Sequence, residues 1–423
     1  LLHYEGVQPV ARRPKDEAKL EFTASTDNWF RPVQFANAPD GCLYVADMYR
    51  ETIEHPWSIP ESIKKHLDLD SGNDRGRIWR IAPKGFKSFQ RALPGKVKTA
   101  QLVKLLAHAN GWTRECAARL IYERQDKSIV SALTNLAADN KKPLGQIHAL
   151  WALHGLGALK KEHVLQALKK GKLEVRVQGM ILAEYFADQA EVTEAVYAQK
   201  DQADQHVLYQ LALTASRFPQ SDSRKLALAT VLGKAGGDKW IEAAVMNGFS
   251  DDLGTMWVAI HGAPTVSATA KIEFLKLIGR RNKPEEVAKA VMVIARRPPN
   301  IQTIAWVNAL GKSAGSLPAL EKEALRWLTL SEKGKPDAQL IPAMALVLRQ
   351  DYGVAAPALL GAARNRKSDS ARVAVVQSLA KFSGPKVGND LLSLWPKASG
   401  RVRAEILAAL VTRPERVVAL LKA

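Results

Sequence analysis

Residues 112–120 read WTRECAARL and residues 174–183 read EVRVQGMILA. Each stretch repeats apolar side chains three and four residues apart, which is the spacing of a helix with one apolar face. Small residues such as Ala117 and Gly179 let a neighbouring helix approach closely. From residue 97 onward this helical spacing replaces strand alternation, and it predicts a mainly α-helical protein.

Similar helix starts recur along the rest of the chain. They lie at Trp112, Leu144, Glu174, Gln205, Asp238, Ser267, Ile301, Asp337, Ser370 and Ser399. Successive starts are 29 to 36 residues apart, and each block has room for two short helices with a turn between them. Such a unit cannot bury its apolar stripe alone, so stacked neighbours must cover it. We therefore predict an α-solenoid of HEAT- or armadillo-like repeats over residues 94–423.

Residues 1–93 carry strand and turn signals instead. Alternation of apolar with polar or charged residues predicts strands at residues 19–23, 30–35, 43–47 and 76–81. A Pro-Asp-Gly turn at residues 39–41 separates two of them. A short helix is expected from Pro60 to His66. We place the boundary between this β segment and the helical region near residue 94.

Three or four strands with tight turns look like one blade of a β-propeller, with residues 48–75 as an insertion. A lone blade exposes both edges and one apolar face, so it is marginal by itself. Propellers usually have about four to eight blades. We therefore expect residues 1–93 to be a final blade that other blades precede. No signal-peptide pattern follows Leu1, so we expect the chain to begin at a cut.

An ordered series of short motifs runs through this region. The series is DNWFRP at 27–32, APDGCLYVADMYR at 38–50, IEHP at 53–56, IP at 59–60, LDLDSGNDRGRIWRI at 67–81, NGWTR at 110–114, ERQD at 123–126 and HALWALHGLG at 148–157. With these motifs the chain resembles the large membrane-bound dehydrogenase-like proteins of planctomycetes and verrucomicrobia. Their propeller is similar to that of pyrroloquinoline-quinone sugar dehydrogenases. The resemblance is close over residues 25–160 and architectural beyond them.

In that family a HEAT-like region follows the propeller, and a c-type cytochrome domain with a CxxCH motif often follows that. The resemblance implies an exported, periplasmic protein that oxidises sugars or alcohols, with pyrroloquinoline quinone and haem c in the full-length protein. Neither Cys42 nor Cys116 lies in a CxxCH motif. We expect no cofactor in this stretch itself. Its partners would be the remaining propeller blades and a cytochrome c domain of the same protein.

Candidate site residues surround the predicted insertion. In a propeller blade the connection that enters the first strand and the one that leaves the second emerge at the same end. Arg31 and residues 48–75 are therefore expected on one face. Asp47 and His55 are the candidate catalytic residues, as proton acceptors. The candidate contacts for an anionic cofactor or an acidic sugar are Arg31, Tyr49, Arg50 and Glu54.

A structural alternative accounts for the same residues. Asp47 would then end a strand, and Arg50 would pair with Glu54. The insertion would form a rigid plug at the end of the blade and bind nothing.

The stretch DLDSGND at 68–74 places oxygen-bearing side chains at alternate positions, as a calcium-binding loop does. It fails the EF-hand pattern, which needs glycine at the sixth position and glutamate at the twelfth. The alternative is that its acids form turns and pair with Arg75 and Arg77. We expect no metal site in the chain, with Asp68, Asp70 and Asp74 as the calcium candidates.

The net charge is +19, of which +3 falls on residues 1–100 and +16 on residues 101–423. Such an excess favours anionic partners, and basic helical arrays can cradle a phosphate backbone. A charged, solvated surface explains the same excess without any partner. No run of 18 or more apolar residues occurs, so no membrane span is expected.

Together these patterns favour a scaffold or junction segment of an exported, dehydrogenase-like redox protein. Its solenoid would position domains or bind a protein. The alternatives are a non-catalytic protein-interaction solenoid and, with less support, a nucleic-acid-binding helical protein. The parent would be a quinone-dependent dehydrogenase, whereas this stretch alone is not expected to be active.

Overall fold

The computed structural model of the chain describes residues 2–87, 94–249, 252–298, 300–329 and 340–423. These residues are mostly helical, with a small β segment at the N-terminus. Their contacts group them into two compact units, Leu1–Leu228 and Ala229–Ala423. The helix start predicted at Asp337 lies outside the described residues, as do residues 88–93 beside the predicted domain boundary.

The β segment contains two small antiparallel sheets. A hairpin is formed by β1 (Leu2–Glu5) and β2 (Gln8–Ala11). A three-stranded sheet has the order β3 (Pro32–Asn37), β4 (Leu43–Asp47) and β5 (Arg77–Ile81). The strands of this second sheet confirm three predicted strands to within two residues.

The strand predicted at Lys19–Thr23 is wrong. That part of the described chain has no strand, and Leu20 and Phe22 are exposed. Alternation of charged and apolar residues permits a strand, but a strand also needs a hydrogen-bonding neighbour. No neighbouring strand pairs with residues 19–23 within the described ranges.

The first unit contains one short helix and a series of longer ones. The short helix α1 (Glu61–Lys64) confirms the helix expected between Pro60 and His66. The longer helices are α2 (Thr99–Leu105), α3 (Gly111–Arg124), α4 (Val130–Ala137), α5 (Pro143–Gly155), α6 (Lys161–Lys170), α7 (Leu173–Ala183), α8 (Ala190–Tyr197), α9 (Gln205–Ala215) and α10 (Asp222–Lys234), which crosses the division between the units. From α3 to α9, each odd-numbered helix packs on the next odd-numbered one.

The second unit continues the same pattern of short helices. They are α11 (Lys239–Gly248), α12 (Leu253–Ile260), α13 (Ala268–Arg281), α14 (Pro284–Ala295), α15 (Ile301–Leu310), α16 (Pro318–Thr329), α17 (Leu340–Val347), α18 (Tyr352–Asn365), α19 (Asp369–Leu379), α20 (Pro385–Leu392), α21 (Gly400–Val411) and α22 (Pro414–Leu421). Helices α13, α15, α17, α19 and α21 pack in a row. Among the described residues, no helix has both the length and the apolar character that a bilayer crossing needs.

The predicted helix starts are accurate. Nine of the ten lie within one residue of an observed start, and the described part of each predicted block holds two of the helices α3–α22. Capping explains part of this accuracy. The side chains of Asp238, Ser267 and Ser399 each accept a hydrogen bond from a backbone N–H of the helix that follows.

Arginine side chains near helix starts bind carbonyl oxygens at the ends of preceding helices. Arg114 in α3 donates to two carbonyl oxygens of the preceding turn, at 2.7 and 2.8 Å. Arg372 in α19 donates to a carbonyl oxygen near the end of α18, at 3.0 Å. Arg416 in α22 is completely buried and binds carbonyl oxygens near the ends of α19 and α21. The same arrangement occurs at Arg176 and Arg224. Helix ends leave such carbonyl groups without partners, so these arginines satisfy them.

Candidate functional site

The predicted site lies at one end of the three-stranded sheet. The register pairs Pro32 with Asp47 across β3 and β4, and Asp47 with Arg77 across β4 and β5. The start of β3, the end of β4 and the start of β5 therefore lie side by side. Arg31 and the segment 48–75 emerge at this end, as the strand connections predict.

Asp47 links the three strands through its carboxylate. Its side chain is 3% exposed. One carboxylate oxygen, Oδ1, accepts the backbone N–H groups of Arg31 at 2.8 Å and Tyr49 at 3.0 Å. The other, Oδ2, accepts the indole Nε1–H of Trp79 at 3.0 Å. Both oxygens are therefore used to hold the strand ends together.

The surroundings of Asp47 keep its carboxyl group ionised. Burial by itself would raise its pKa. The hydrogen bonds from Trp79, Arg31 and Tyr49, together with the charge of Arg77, outweigh burial and hold the pKa below its ordinary value. A carboxylate with a lowered pKa is a poor proton acceptor. The catalytic role of Asp47 stays a prediction, whereas its contacts describe a structural anchor.

Tyr49 stands in a strained backbone conformation next to this anchor. Its φ of 52° is in the left-handed region, which bulky side chains seldom adopt. The guanidinium carbon of Arg77 lies 3.6 Å from the centroid of the Tyr49 ring, and the Trp29 ring centroid lies 5.6 Å from it. A Cβ atom on Gly72 would clash with the Tyr49 carbonyl oxygen, so this position requires glycine. Strain of this kind is often found at functional sites.

Three further residues contribute to this cluster and were not predicted from the sequence: Trp29, Arg77 and Trp79. Arg77 and Trp79 are two residues apart on β5, so both face the side of the sheet that carries Asp47. Their spacing in the sequence could therefore have indicated that both side chains lie near Asp47. The approach of Gly72 to Tyr49 had no signal in the sequence, because it depends on how the insertion folds back.

Arg31 and Arg50 tie the two connections at this end of the sheet. The guanidinium of Arg31 donates to backbone carbonyl oxygens on both connections, including that of Glu51 at 2.9 Å. The backbone N–H of Arg50 donates to the carbonyl oxygen of Trp29 at 3.1 Å. Arg31, Asp47, Tyr49 and Arg50 are thus gathered at one end of the sheet.

Glu54 and His55 make local contacts further along the insertion. The Glu54 carboxylate accepts the backbone N–H of Ile53 at 3.2 Å. The His55 Nδ1 atom accepts a hydrogen bond from the backbone N–H of Trp57 at 3.3 Å and so caps a short 3-10 helix. The Trp57 side chain in that helix is 92% exposed. Within the described residues, no ion pair joins Arg50 to Glu54, so that part of the structural alternative is wrong.

The acids of the calcium candidate are used in turns and in one ion pair. The Asp68 carboxylate accepts the backbone N–H of Asp70 at 3.0 Å, and Asp74 pairs with Arg75 at 3.3 Å. Arg77 pairs with Asp27 rather than with this stretch, at 3.8 Å. In the parts of the chain that the structure describes, no three His, Cys, Asp or Glu side chains are grouped to hold a metal ion.

Asn110 joins the sheet to the helical part of the first unit. Its side-chain oxygen accepts the backbone N–H of Trp112 at 2.9 Å and caps α3. Its Nδ2 group donates to the carbonyl oxygens of Ala38 at 2.9 Å and Pro39 at 3.3 Å, in the turn between β3 and β4. One side chain therefore caps a helix and holds a β-turn.

Changing Asn110 to aspartate should separate these two functions. Aspartate keeps the capping oxygen but lacks the N–H donor, and its charge repels the carbonyl oxygens of Ala38 and Pro39. We expect amide hydrogen exchange in residues 38–45 to speed up at least fivefold while α3 stays protected. The matched control is Asn300→Asp, since Asn300 caps α15 in the second unit. Equal exchange in residues 38–45 for wild type and Asn110→Asp would show that the hydrogen bonds from Asn110 do not stabilise this turn.

Comparison with known proteins finds a match in the N-terminal part of the chain. A family model described as "Domain of unknown function (DUF7133)" matches residues 1–85. The matched stretch contains β1–β5 and the insertion with the candidate site residues. No curated protein matches the chain. Residues 1–85 are therefore similar to a family that is defined without a known function.

Proposed function

We propose that the chain is the junction and scaffold segment of an exported, dehydrogenase-like protein that oxidises sugars or alcohols. In this proposal the β segment is the last blade of a propeller, and the helical region positions domains or binds a protein. The observation that carries the proposal is the Asn110 link. It connects the turn of the sheet to the first long helices and so provides a fixed junction between a β part and a helical part.

The order of helix contacts supports a HEAT- or armadillo-like α-solenoid as the architecture of the helical region. In each unit, a helix packs on the helix two places further along as well as on a neighbour in sequence. Stacked helical hairpins produce this order, because equivalent helices of consecutive repeats lie side by side.

The exposed apolar side chains of the sheet support further blades. Val33, Phe35 and Ile78 are each more than half exposed on a sheet whose outer strands, β3 and β5, are edges. Uncovered edges and apolar faces are liabilities that proteins usually cover. In the intact protein we place the other propeller blades against them.

The proposed cofactors belong to other parts of the protein. Cys42 is buried, Cys116 lies within α3, and neither precedes a Cys-His pair that could hold haem c. The guanidinium of Arg31, the expected contact for an anionic quinone, is bound to backbone carbonyl oxygens. The residues of this chain alone therefore do not fit pyrroloquinoline quinone or haem c. We place both in the full-length, periplasmic protein.

A non-catalytic protein-interaction solenoid is the second candidate function. It is favoured by an open groove of about 470 Å³ between α11, α12 and α13, with Met246, Leu253 and Leu277 in its lining. A nucleic-acid-binding role has less support, because only the net charge of +16 on residues 101–423 favours it.

The redox proposal can be tested on the protein encoded by the complete gene. After addition of pyrroloquinoline quinone and calcium, we expect reduction of an electron-accepting dye with at least one sugar or alcohol from a panel. Haem staining of the denatured protein would report a covalent c-type cytochrome. Absence of quinone-dependent dye reduction with every substrate would contradict the redox proposal and leave the interaction solenoid.

In the same protein, Arg50→Ala and His55→Ala should lower the turnover number by about tenfold or more if the sheet end faces substrate. Glu61→Ala is the control, because Glu61 is an exposed carboxylate of the same insertion. Circular dichroism spectra should match that of the wild type for all three. Full turnover by both Arg50→Ala and His55→Ala would remove the catalytic interpretation of this end of the sheet.

A further inference from the structure

The helical part of the first unit carries an aromatic row that the proposed redox role does not use. The row consists of Tyr122 on α3, His154 on α5 and Tyr185 in the 3-10 turn Glu184–Phe186 that follows α7. Successive members are 32 and 31 residues apart, which is one helix pair in this chain. Because α5 packs on both α3 and α7, the row crosses three adjacent helices near their C-terminal ends.

The rings of the row are positioned by contacts within the chain. The ring centroids of His154 and Tyr185 are 4.2 Å apart, and the Trp151 ring stands edge-on to His154 with centroids 5.8 Å apart. A Cβ atom on Gly155 would come within 2.9 Å of a ring carbon of Tyr122, so this ring lies against the Gly155 backbone. The row is therefore continuous from Tyr122 to Tyr185.

The two tyrosines at the ends of the row are open to a ligand. Tyr122 is 63% exposed and Tyr185 is 60% exposed. Among the residues that the structure describes, no hydrogen bond reaches the hydroxyl group of either tyrosine or the ring nitrogens of His154. The row thus offers exposed aromatic faces together with hydroxyl groups that can donate to a ligand.

The dimensions of the row suit an extended peptide. Packed helices are about 8–10 Å apart, so the axes of α3 and α7, on either side of α5, are about 16–20 Å apart. A polyproline II helix rises about 3.1 Å per residue, so six residues span about 19 Å. Every third residue of such a helix faces the same side, and its carbonyl oxygens have no internal hydrogen bonds. Prolines at every third position would therefore all face the row.

We propose that the aromatic row binds a proline-rich segment of a protein partner in the polyproline II conformation. Proline rings pack on the faces of Tyr122 and Tyr185, and the two tyrosine hydroxyl groups donate to carbonyl oxygens of the segment. Surfaces lined by aromatic side chains recognise such segments well, because the peptide is already extended and loses little entropy on binding. The inference rests on the proposed protein-binding role of the helical region and adds a site and the chemistry of the partner.

The composition of the row favours this peptide over other ligands that stack on aromatic rings. Single-stranded nucleic acid also needs lysine or arginine beside the rings for its phosphates, and the row contains neither. A sugar needs several convergent donors and acceptors in addition to a ring face. A polyproline II peptide needs only the ring faces and a few donors for its carbonyl oxygens.

The probe is a fluorescently labelled peptide of about ten residues with proline at every third position. One control peptide replaces the prolines with alanine, and another keeps the composition but places no two prolines three residues apart. A labelled oligosaccharide and a labelled single-stranded oligonucleotide test the other ligand classes. Fluorescence anisotropy with the full chain measures each dissociation constant. We expect the first peptide to bind at least tenfold more tightly than either control peptide.

Substitutions of the tyrosines test which groups bind the peptide. Tyr122→Ala and Tyr185→Ala should each weaken binding at least fivefold. Tyr122→Phe and Tyr185→Phe keep the ring and remove one hydrogen bond, so each should weaken binding about two- to tenfold. Leu144→Ala is the matched control, because it shortens a side chain on α5 that is 49% exposed. Leu144 lies about 15 Å from His154 along the helix axis, so this variant should bind like the wild type.

Gly155→Ala tests the position of the Tyr122 ring without removing any group of the row. The added methyl group would displace this ring, whereas alanine favours a helix more than glycine does. We expect peptide binding to weaken at least threefold while the far-UV circular dichroism spectrum stays that of the wild type.

The proposal is overturned if the proline peptide does not bind at millimolar concentration, or if either control peptide binds as tightly. It is also overturned if both tyrosine-to-alanine variants bind the proline peptide like the wild type, or if only the oligosaccharide or the oligonucleotide depends on the tyrosines. These affinities do not depend on oxidation of a substrate. An absence of dye reduction in the full-length protein would therefore contradict the redox role and leave this result unaffected.

Discussion

Replacing Leu150 with alanine should lower the free energy of unfolding by about 2–5 kcal/mol. Leu150 is completely buried in α5, which packs on α3, α4 and α7. Shortening this side chain removes apolar contacts with these helices and leaves a cavity, because the close-packed surroundings relax only partly. Urea unfolding of the chain, followed by far-UV circular dichroism, measures the change.

Leu144 provides the matched control on the same helix. Its side chain is 49% exposed, so Leu144→Ala should change the free energy of unfolding by less than about 0.5 kcal/mol. A loss of the same size for both variants would contradict the placement of Leu150 in the interior between these helices.

Replacing Asp47 with alanine should destabilise the sheet by about 3 kcal/mol or more. Three N–H donors, from Arg31, Tyr49 and Trp79, would lose their acceptor. Such a loss costs about 1–3 kcal/mol for a fully buried donor, and these donors are partly buried, so we expect about 1 kcal/mol for each. Hydrogen exchange of the Arg31 and Tyr49 amides reports the effect. Asp74→Ala is the control, because its carboxylate is 72% exposed. Unchanged exchange in Asp47→Ala would show that the carboxylate does not anchor the strands.

The lowered pKa of Asp47 gives this anchor a defined pH dependence. Because the pKa is lower in the folded than in the unfolded protein, ionised Asp47 stabilises the fold above the unfolded value, near pH 4. That contribution is lost as the pH falls through the folded value. The free energy of unfolding of Asp47→Asn should therefore differ from that of the wild type at pH 7, and the two values should approach each other in strong acid. If the difference in free energy of unfolding between Asp47→Asn and the wild type is the same at pH 7 and pH 2, Asp47 does not cause the pH dependence.

The helices could be predicted because their signals are local. Apolar spacing reports the buried face of each helix, and capping residues such as Ser267 and Ser399 mark its first turn. Both signals lie within about a dozen residues. The repeat of these signals then predicts the number of helices per block, without any knowledge of their packing.

The hairpin of β1 and β2 could not be predicted in this way. Each strand has four residues, and Pro9 lies within β2 although proline is rare inside strands, so the stretch lacks a clear strand pattern. Its position depends on a distant contact, since the Tyr4 ring lies edge-on to His206 with ring centroids 4.6 Å apart. A contact across 202 residues of sequence leaves no local trace. The strand predicted at residues 19–23 does not form for the opposite reason. Its residues alternate as in a strand, but no strand among the described residues pairs with them.

The candidate site was predicted as far as strand connectivity determines it. The order of antiparallel strands requires Arg31 and the segment after Asp47 to emerge together. The roles within the cluster depend on hydrogen bonds that the strand order does not specify. The carboxylate of Asp47 accepts three N–H groups, and the Tyr49 ring packs against Arg77. Such contacts follow from register and from the fold of the insertion, and neither can be read from spacing alone.

The arginines that bind preceding helix ends also restrict the length of the turns between helices. Arg114, Arg176 and Arg372 lie five to nine residues after the carbonyl groups that they bind. An insertion or deletion in such a turn would shift the guanidinium away from its acceptor and break hydrogen bonds between partly buried groups. Surface turns usually tolerate changes in length, because lengthening a loop costs little entropy. In this protein, insertions should therefore be tolerated in turns without such an arginine and rejected in the turns before α3, α7 and α19.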